Sequence, residues 1–321
     1  MSLASWFVVR RELSVRKQAW LGLGSFLLPI LIWCSVSYVP FIWHPMVQVT
    51  NVGAVDYFQL DMLVDQSIFN TESAAMQQAG KALPVGVPAN PIYLPAPHEV
   101  AIAMYTAFTS APEQRDGQWL HESLWHSIKI IFTGFLISSL IGVPVGILCG
   151  TYSAISRLFE PFIEFFRYLP APAFGALAVS ILGIYDGPKV AIIVIGTLFQ
   201  QILIIANTTR KLDYSLLEAA MTLGTSKFKL LLHVIIPGIL PELYRNQRIL
   251  LGWAWTYLIV AELIGTSSGI TWFITQQARY QHFDNVYAAI ILIGIIGLGG
   301  DLILARLSKH LFPWDRSANK E

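Results

Sequence analysis

The chain has 321 residues, of which 55% are apolar and 13% charged, and its mean hydropathy is +0.56. Ordinary soluble domains carry about 25% charge, so this composition excludes a soluble enzyme and indicates a membrane protein. The formal charge of +1, from 21 Lys and Arg against 20 Asp and Glu, offers no electrostatic footprint for a nucleic-acid partner.

In chain order, residues 1–18 form a basic N-terminal segment with Arg10, Arg11, Arg16 and Lys17, followed by a first apolar helix over 19–39. That run exceeds the 7 to 15 apolar residues of a signal-peptide core, so a retained span is expected. Residues 40–123 follow as an outer loop too long for a bare connection. Its DYFQLDMLVDQSIFNTESAAMQQAGK stretch suits a short helix, and PVGVPANPIYLPAP reads as an extended proline-rich segment. Further apolar runs lie at about 124–149, 168–185, 188–206, 249–265 and 286–307, each near the roughly 20 residues that cross a bilayer. Six spans in an all-α integral membrane protein are therefore expected, with 315–321 as a tail. Pro161, Pro170 and Pro172 interrupt the region of the third span, and the amphipathic RLFEPFIEFFRYLPAP at its start suits a membrane surface.

Cytoplasmic loops carry an excess of Lys and Arg. With the N-terminus inside, the inner segments collect fifteen: Arg10, Arg11, Arg16, Lys17, Arg157, Arg210, Lys211, Lys227, Lys229, Arg245, Arg248, Arg306, Lys309, Arg316 and Lys320. The outer ones collect four, Lys81, Arg115, Lys189 and Arg279, so both termini are expected in the cytoplasm. Cys34 and Cys149 lie inside apolar runs and imply no disulfide framework.

The inner loop at 207–248 carries the most specific pattern, LDYSLLEAAMTLGTSKFKLLLHVIIPGILPEL. Ser215 with Glu218 three residues on has capping-box spacing and starts a helix at Leu216, which Gly224 stops. A second helix from Ser226 places Phe228, Leu231, Leu232 and Ile235 on one face before Pro237 ends it. The pair suits either a docking element or a helical hairpin that covers the spans. Gly142, Gly146 and Gly150 recur every four residues, about 40° apart per step on a helix, and favour close helix packing either within the chain or in a dimer. Gln200 and Gln201 suit interhelical hydrogen bonding or the lining of a path. Trp253, Trp255 and Tyr257, with Glu262 after them, suit packing, an interfacial belt or a path. In HESLWH, His121 and His126 are five apart, about 140° around a helix, which is the wrong spacing for a zinc pair. No metal site is expected. The chain lacks G-x-x-x-x-G-K-[ST], so any ATP and Mg are bound by another subunit.

Glu218, Ala219, Ala220, Gly224 and Pro237 stand at the positions of the EAA signature of permease subunits of binding-protein-dependent ABC importers, with Val234 and Ile236 where that signature has Ile and Leu. LPAPHEV, GFLISSLIGVPVGILCG, FRYLPAPAFGAL, RILLGWAWTYLIVAELIGTSSGI and DLILARLSKHLFPW extend the resemblance over about residues 92–314, and it looks closest to the nitrate/sulfonate/taurine branch. This resemblance implies a type I importer permease fold and a six-helix subunit in the inner membrane. It further implies a homodimer or paired permease, two ATPase subunits and an extracytoplasmic solute-binding protein. Glu218, Ala219, Ala220, Gly224 and Pro237 would then couple to the ATPase. The insertion at 40–91 and the Gln200–Gln201 pair depart from that branch. A secondary transporter driven by an ion gradient is the main rival, and a membrane-embedded hydrolase, resting on HESLWH alone, is the other.

Overall fold

The computed structural model describes residues 14–39, 41–112, 119–264 and 268–315. The expectations on Arg10, Arg11, Arg115, Arg316 and Lys320 fall outside them. The chain divides into two compact units, one made of residues up to Thr106 with Gln277–Ala288 and the other of Ala107–Gln276 with the residues from Ala289 on.

The first unit begins with α1 (Val15–Tyr38), whose apolar residues are nearly all exposed while Ser37 alone is buried. An apolar helix left bare by its own chain faces lipid or another subunit. The insertion that follows holds β1 (Met46–Asn51), β2 (Leu63–Asp65), α2 (Gln66–Gln78) and β3 (Val85–Ala89). The strands form an antiparallel sheet of order β2-β1-β3, with Val47 opposite Val64 on one side and Pro88 on the other. The expected short helix is α2, which Asp65 caps by accepting from the Ser67 N–H at 2.8 Å. The proline-rich stretch is extended as read, and its Val85–Ala89 part pairs with β1 as an edge strand. Pro88 has no N–H to give a ladder, and an edge tolerates that. Val49, Val55, Phe58 and Val64 form a small core, closed by Phe69 stacked on Phe58 at 6.0 Å between centroids. Most of α3 (Pro97–Thr109) completes this unit, with Glu99 accepting from the Ala96 N–H at 2.7 Å.

The second unit is built on α4 (Leu120–Thr151) and α7 (Asp186–Arg210). Three glycines of α4 lie against α7: Gly142 faces Gln201, Gly146 faces Ile205 and Gly150 faces Thr209. Both sets repeat every four residues, the spacing of interlocking ridges on two helices. The glycine stripe is thus used inside the chain. Between these helices, α5 (Ser153–Arg167) and α6 (Gly175–Leu182) are joined through a short 3₁₀ turn at Ala171–Phe174, and the chain bends by 87° between α5 and the segment Ala171–Leu182. Pro161 is accommodated within α5, whereas Pro170 and Pro172 mark a sharp break.

The inner loop differs from expectation in three respects. α8 (Tyr214–Thr222) starts two residues early because Asp213 caps it, accepting from the Ser215 N–H at 3.0 Å, so Ser215 and Glu218 form no capping box. After α9 (Lys227–Leu230), a π-turn at Leu231–Ile235 runs straight into α10 (Ile236–Leu263), so Pro237 does not end the helix. Pro237 sits in the first turn of α10, where a missing N–H costs least, and the widened turn before it makes room for the ring. Nor do the four apolar residues of the second helix share a buried face. Ile235 is buried while Phe228 and Leu232 are exposed.

α11 (Ile270–Arg279) and α12 (Phe283–Leu311) close the chain. By length and composition, four described helices, α1, α4, α7 and α12, can cross a membrane, and the bent pair around Ala171 makes up to five. The expected fifth span lies within α10, whose first half carries Glu242, Arg245, Gln247 and Arg248 and so falls short on composition.

Candidate functional site

The hairpin of α8 and α9 has an anchored base and a bare tip. At the base, Leu212, Leu231, Ile236 and Leu243 pack on the buried Ile147, Ile205 and Ile239, and a side chain at Gly238 would meet Leu212. At the tip α8 buries no residue. Tyr214, Leu216, Met221 and Phe228 are exposed there, and Leu223 is 86% exposed. Glu218 and Ala219 are exposed and Ala220 is half-buried.

Gly224 ends α8 with φ +76, while the Thr225 N–H reaches the Ala220 carbonyl at 3.2 Å and the Gly224 N–H that of Met221 at 2.9 Å. This is the doubly bonded left-handed cap that favours glycine. The sequence expectation of a stop at Gly224 is met by that geometry. The start of α8 depends on Asp213, whose carboxyl is held below the ordinary carboxylate range first by the Ser215 backbone N–H and then by its hydroxyl. A depressed folded-state pKa means the cap's contribution is complete above the unfolded value and is lost as pH falls through the folded one. Amide protection at Ser215 and Leu216, corrected for intrinsic exchange, should therefore fall below about pH 4. In Asp213→Asn the same protection should not vary with pH, and a wild-type profile that stays flat would remove Asp213 as the cap.

The residues proposed for a path separate in the structure. Gln201 is fully buried and ties three helices together, accepting from Ser138 of α4 at 2.7 Å and donating to Ser139 of α4 at 2.9 Å and Gln247 of α10 at 2.6 Å. That is interhelical bonding. Gln200 beside it is half-buried. Tyr257 lies flat against Gly196 of α7, Trp255 packs on the core around Leu258, and Trp253 is exposed. Glu262, 2% exposed, accepts from the Ser127 hydroxyl and from the Thr271 N–H at 2.8 Å, while Ser127 Oγ accepts from the Ile270 N–H at 2.8 Å. A carboxylate thus holds the first amides of α11, with no room for a side chain at Gly269.

Lys189, an outer-loop base on the sequence reading, is fully buried. Its ammonium meets Asp186 at 3.2 Å and the carbonyl and hydroxyl of Ser268 at 3.2 and 3.1 Å. His126 completes the group, 3.0 Å from Asp186 and 3.2 Å from Ser268 Oγ. No metal-holding group exists among the described residues, and the second histidine of HESLWH has this structural partner set instead. One charge at the edge of an apolar run cannot be told from a loop residue by sequence, which is why Lys189 was missed.

The model of the family described as "binding-protein-dependent transport system inner membrane component" matches residues 142–314. A probable ABC transporter permease protein of Brucella abortus is 30% identical over 195 residues, covering 61% of this chain and 78% of that one. The taurine transport system permease protein of Escherichia coli K12 is 30% identical over 225 residues, covering 70% and 81%. Among solved structures, the MetNI methionine ABC transporter in inward-facing conformation aligns at 18% identity with a TM-score of 0.55, covering 61% of this chain and 98% of the solved one.

Proposed function

The chain belongs to the binding-protein-dependent transport system inner membrane component family, and from that premise we propose that it forms the translocation path of an ATP-driven importer for a small solute of the sulfonate, taurine or nitrate kind. It is a multi-pass membrane permease subunit. In this reading it pairs with a second permease, two ATPase subunits that hold ATP and Mg, and a binding protein on the outer side. The excess of basic residues in the inner segments supports cytoplasmic termini and a cytoplasmic loop at 207–248. The taurine-system relative supports the solute class.

The observation that carries the coupling role is the α8–α9 hairpin, whose apolar tip is exposed, whose bend needs a left-handed residue, and whose base runs without a break into α10. Glu218, Ala219 and Ala220 lie on that tip, and Pro237 in the first turn of α10. A groove of the ATPase would take Leu223 and its neighbours. Binding matters for transport only if it differs between inward and outward states.

Gly224→Val tests this. A β-branched residue in left-handed backbone costs about 1 to 3 kcal/mol, with open space around the site so that strain alone acts. The variant should reach the membrane and pair normally, while ATP-dependent uptake in vesicles reconstituted with the ATPase and binding protein falls at least about tenfold. Normal uptake at normal expression would remove the hairpin from the coupling role.

A further inference from the structure

Within the second unit, a cavity of about 230 Å³ lies between α10 and α12. That is smaller than a drug-sized pocket of about 300 to 1,000 Å³ and suits one small polar group. Four cations border it, Arg245 and Arg248 from α10 with Arg306 and Lys309 from α12, whereas no Asp or Glu does. Ser308, 6% exposed, borders it too.

The two guanidinium groups are held across the helix pair. Arg248 donates to both carboxylate oxygens of Asp301 on α12, from Nε at 3.0 Å and from Nη2 at 2.8 Å. Arg245 reaches Asp315, past the end of α12, at 3.1 Å and also donates to Glu242 beside it on α10. Their heads therefore lie in the gap between α10 and α12, which the Tyr244 hydroxyl also bridges by donating to the Leu304 carbonyl at 3.1 Å. Arg306 and Lys309 differ. Both are exposed, they stand three residues apart on one face of α12, and among the described residues neither has an ion-pair partner. Like charges repel, so four cations gathered on one cavity with no carboxylate in its wall call for an anion there. The exposed Leu302 joins that wall to the bare apolar surface of α12, and Trp314, exposed just past the helix, is a side-chain type that gathers at headgroup depth.

We propose that this cavity binds the phosphate group of an anionic species, carried by a membrane lipid headgroup or by inorganic phosphate in solution. Phosphate oxygens accept from guanidinium and ammonium donors, and the arginine fork matches their spacing. A basic pocket between membrane helices suits an anionic headgroup for this reason, with the acyl chains lying on the apolar surface that Leu302 begins. Which leaflet supplies the lipid depends on the orientation proposed above; phosphate binding does not.

The test places the full chain in nanodiscs of equal parts phosphatidylglycerol and phosphatidylcholine and reads the last lipid retained in native mass spectra. Phosphatidylglycerol should be enriched over phosphatidylcholine on the wild type. The double variant Arg306→Gln with Lys309→Gln should lower that enrichment at least about tenfold. Lys227→Gln with Lys229→Gln removes the same charge from exposed sites outside the cavity and should retain lipid as wild type. Ala305→Leu fills the cavity with every charge kept and should also lose the enrichment; if it does not fold, the double variant of exposed residues decides. A second arm titrates inorganic phosphate by calorimetry into the chain in discs of phosphatidylcholine alone. Enrichment without saturable phosphate binding assigns the site to a headgroup, and saturable binding without enrichment, lost in the Arg306 and Lys309 variant, assigns it to free phosphate. The proposal fails if neither is held, if the Arg306 and Lys309 variant holds either as wild type does, or if the Lys227 and Lys229 variant loses as much. None of these readouts depends on uptake, so failure of the transport reading would leave them unaffected.

Discussion

Gly146→Leu should abolish recovery of folded chain from the membrane, while Gly22→Leu should leave it unchanged. A Cβ at position 146 would stand 2.7 Å from Ile205 Cβ and 2.9 Å from the Ile202 carbonyl oxygen, and neither the branched carbon nor the backbone can swing away. Overpacking a tight core costs about 1 to 3 kcal/mol even when side chains can adjust. Here α4 and α7 must part, which also loosens Gly142 on Gln201 and Gly150 on Thr209. Gln201 would then lose alignment with Ser138 and Ser139, so packing and buried hydrogen bonds fail together. Gly22 of α1 has open space around it and controls for added bulk in an apolar helix. Yield of monodisperse protein in detergent and the thermal midpoint would report the difference. Wild-type values for Gly146→Leu would mean that these two helices do not meet through the glycine stripe.

Glu262→Ala should destabilise the second unit by about 2 to 6 kcal/mol, because the Ser127 hydroxyl and the Thr271 N–H each lose a buried acceptor at about 1 to 3 kcal/mol. Glu262→Gln keeps one acceptor oxygen and the volume, so its loss should be smaller. The thermal midpoint and amide exchange at Ile270 and Thr271 would separate the two. An Ala variant no less stable than the Gln variant would show that the carboxylate does not hold the start of α11.

The apolar runs were legible because a bilayer demands length, and length is visible in sequence. The glycine repeat on α4 was legible as a packing face, but its partner was not, since spacing names a surface and leaves open what covers it. Gly224 could be placed because left-handed backbone selects one residue type. The start of α8 was misplaced by two residues because Asp213 and Ser215 are both good caps, and only the fold decides which side chain reaches an N–H. Pro237 was read as a stop when it sits in a first turn, a position its chemistry permits equally well. The sheet of the insertion escaped notice because strands of six, three and five residues carry too little alternation to stand out. Glu262 and Gln201 were singled out for polarity inside apolar runs, and the structure shows that polarity satisfied by neighbouring helices.

From Lys227 to Leu263 the backbone stays helical through α9, the π-turn and α10, a rod of roughly 55 Å at 1.5 Å per residue. Its two ends differ in kind. One end is the bare hairpin; the other carries Glu262, clamped to Ser127 and to the amides of α11. No loop interrupts the segment. The π-turn at Leu231–Ile235 and the prolines Pro237 and Pro241 are the places where this segment can bend, so displacement at Lys227 reaches Glu262 as tilt, rotation or axial slip to the extent that they hold their angle. If the hairpin docks the ATPase as proposed, the Glu262 clamp stands at the far end of the same unbroken helix that leaves the docking site.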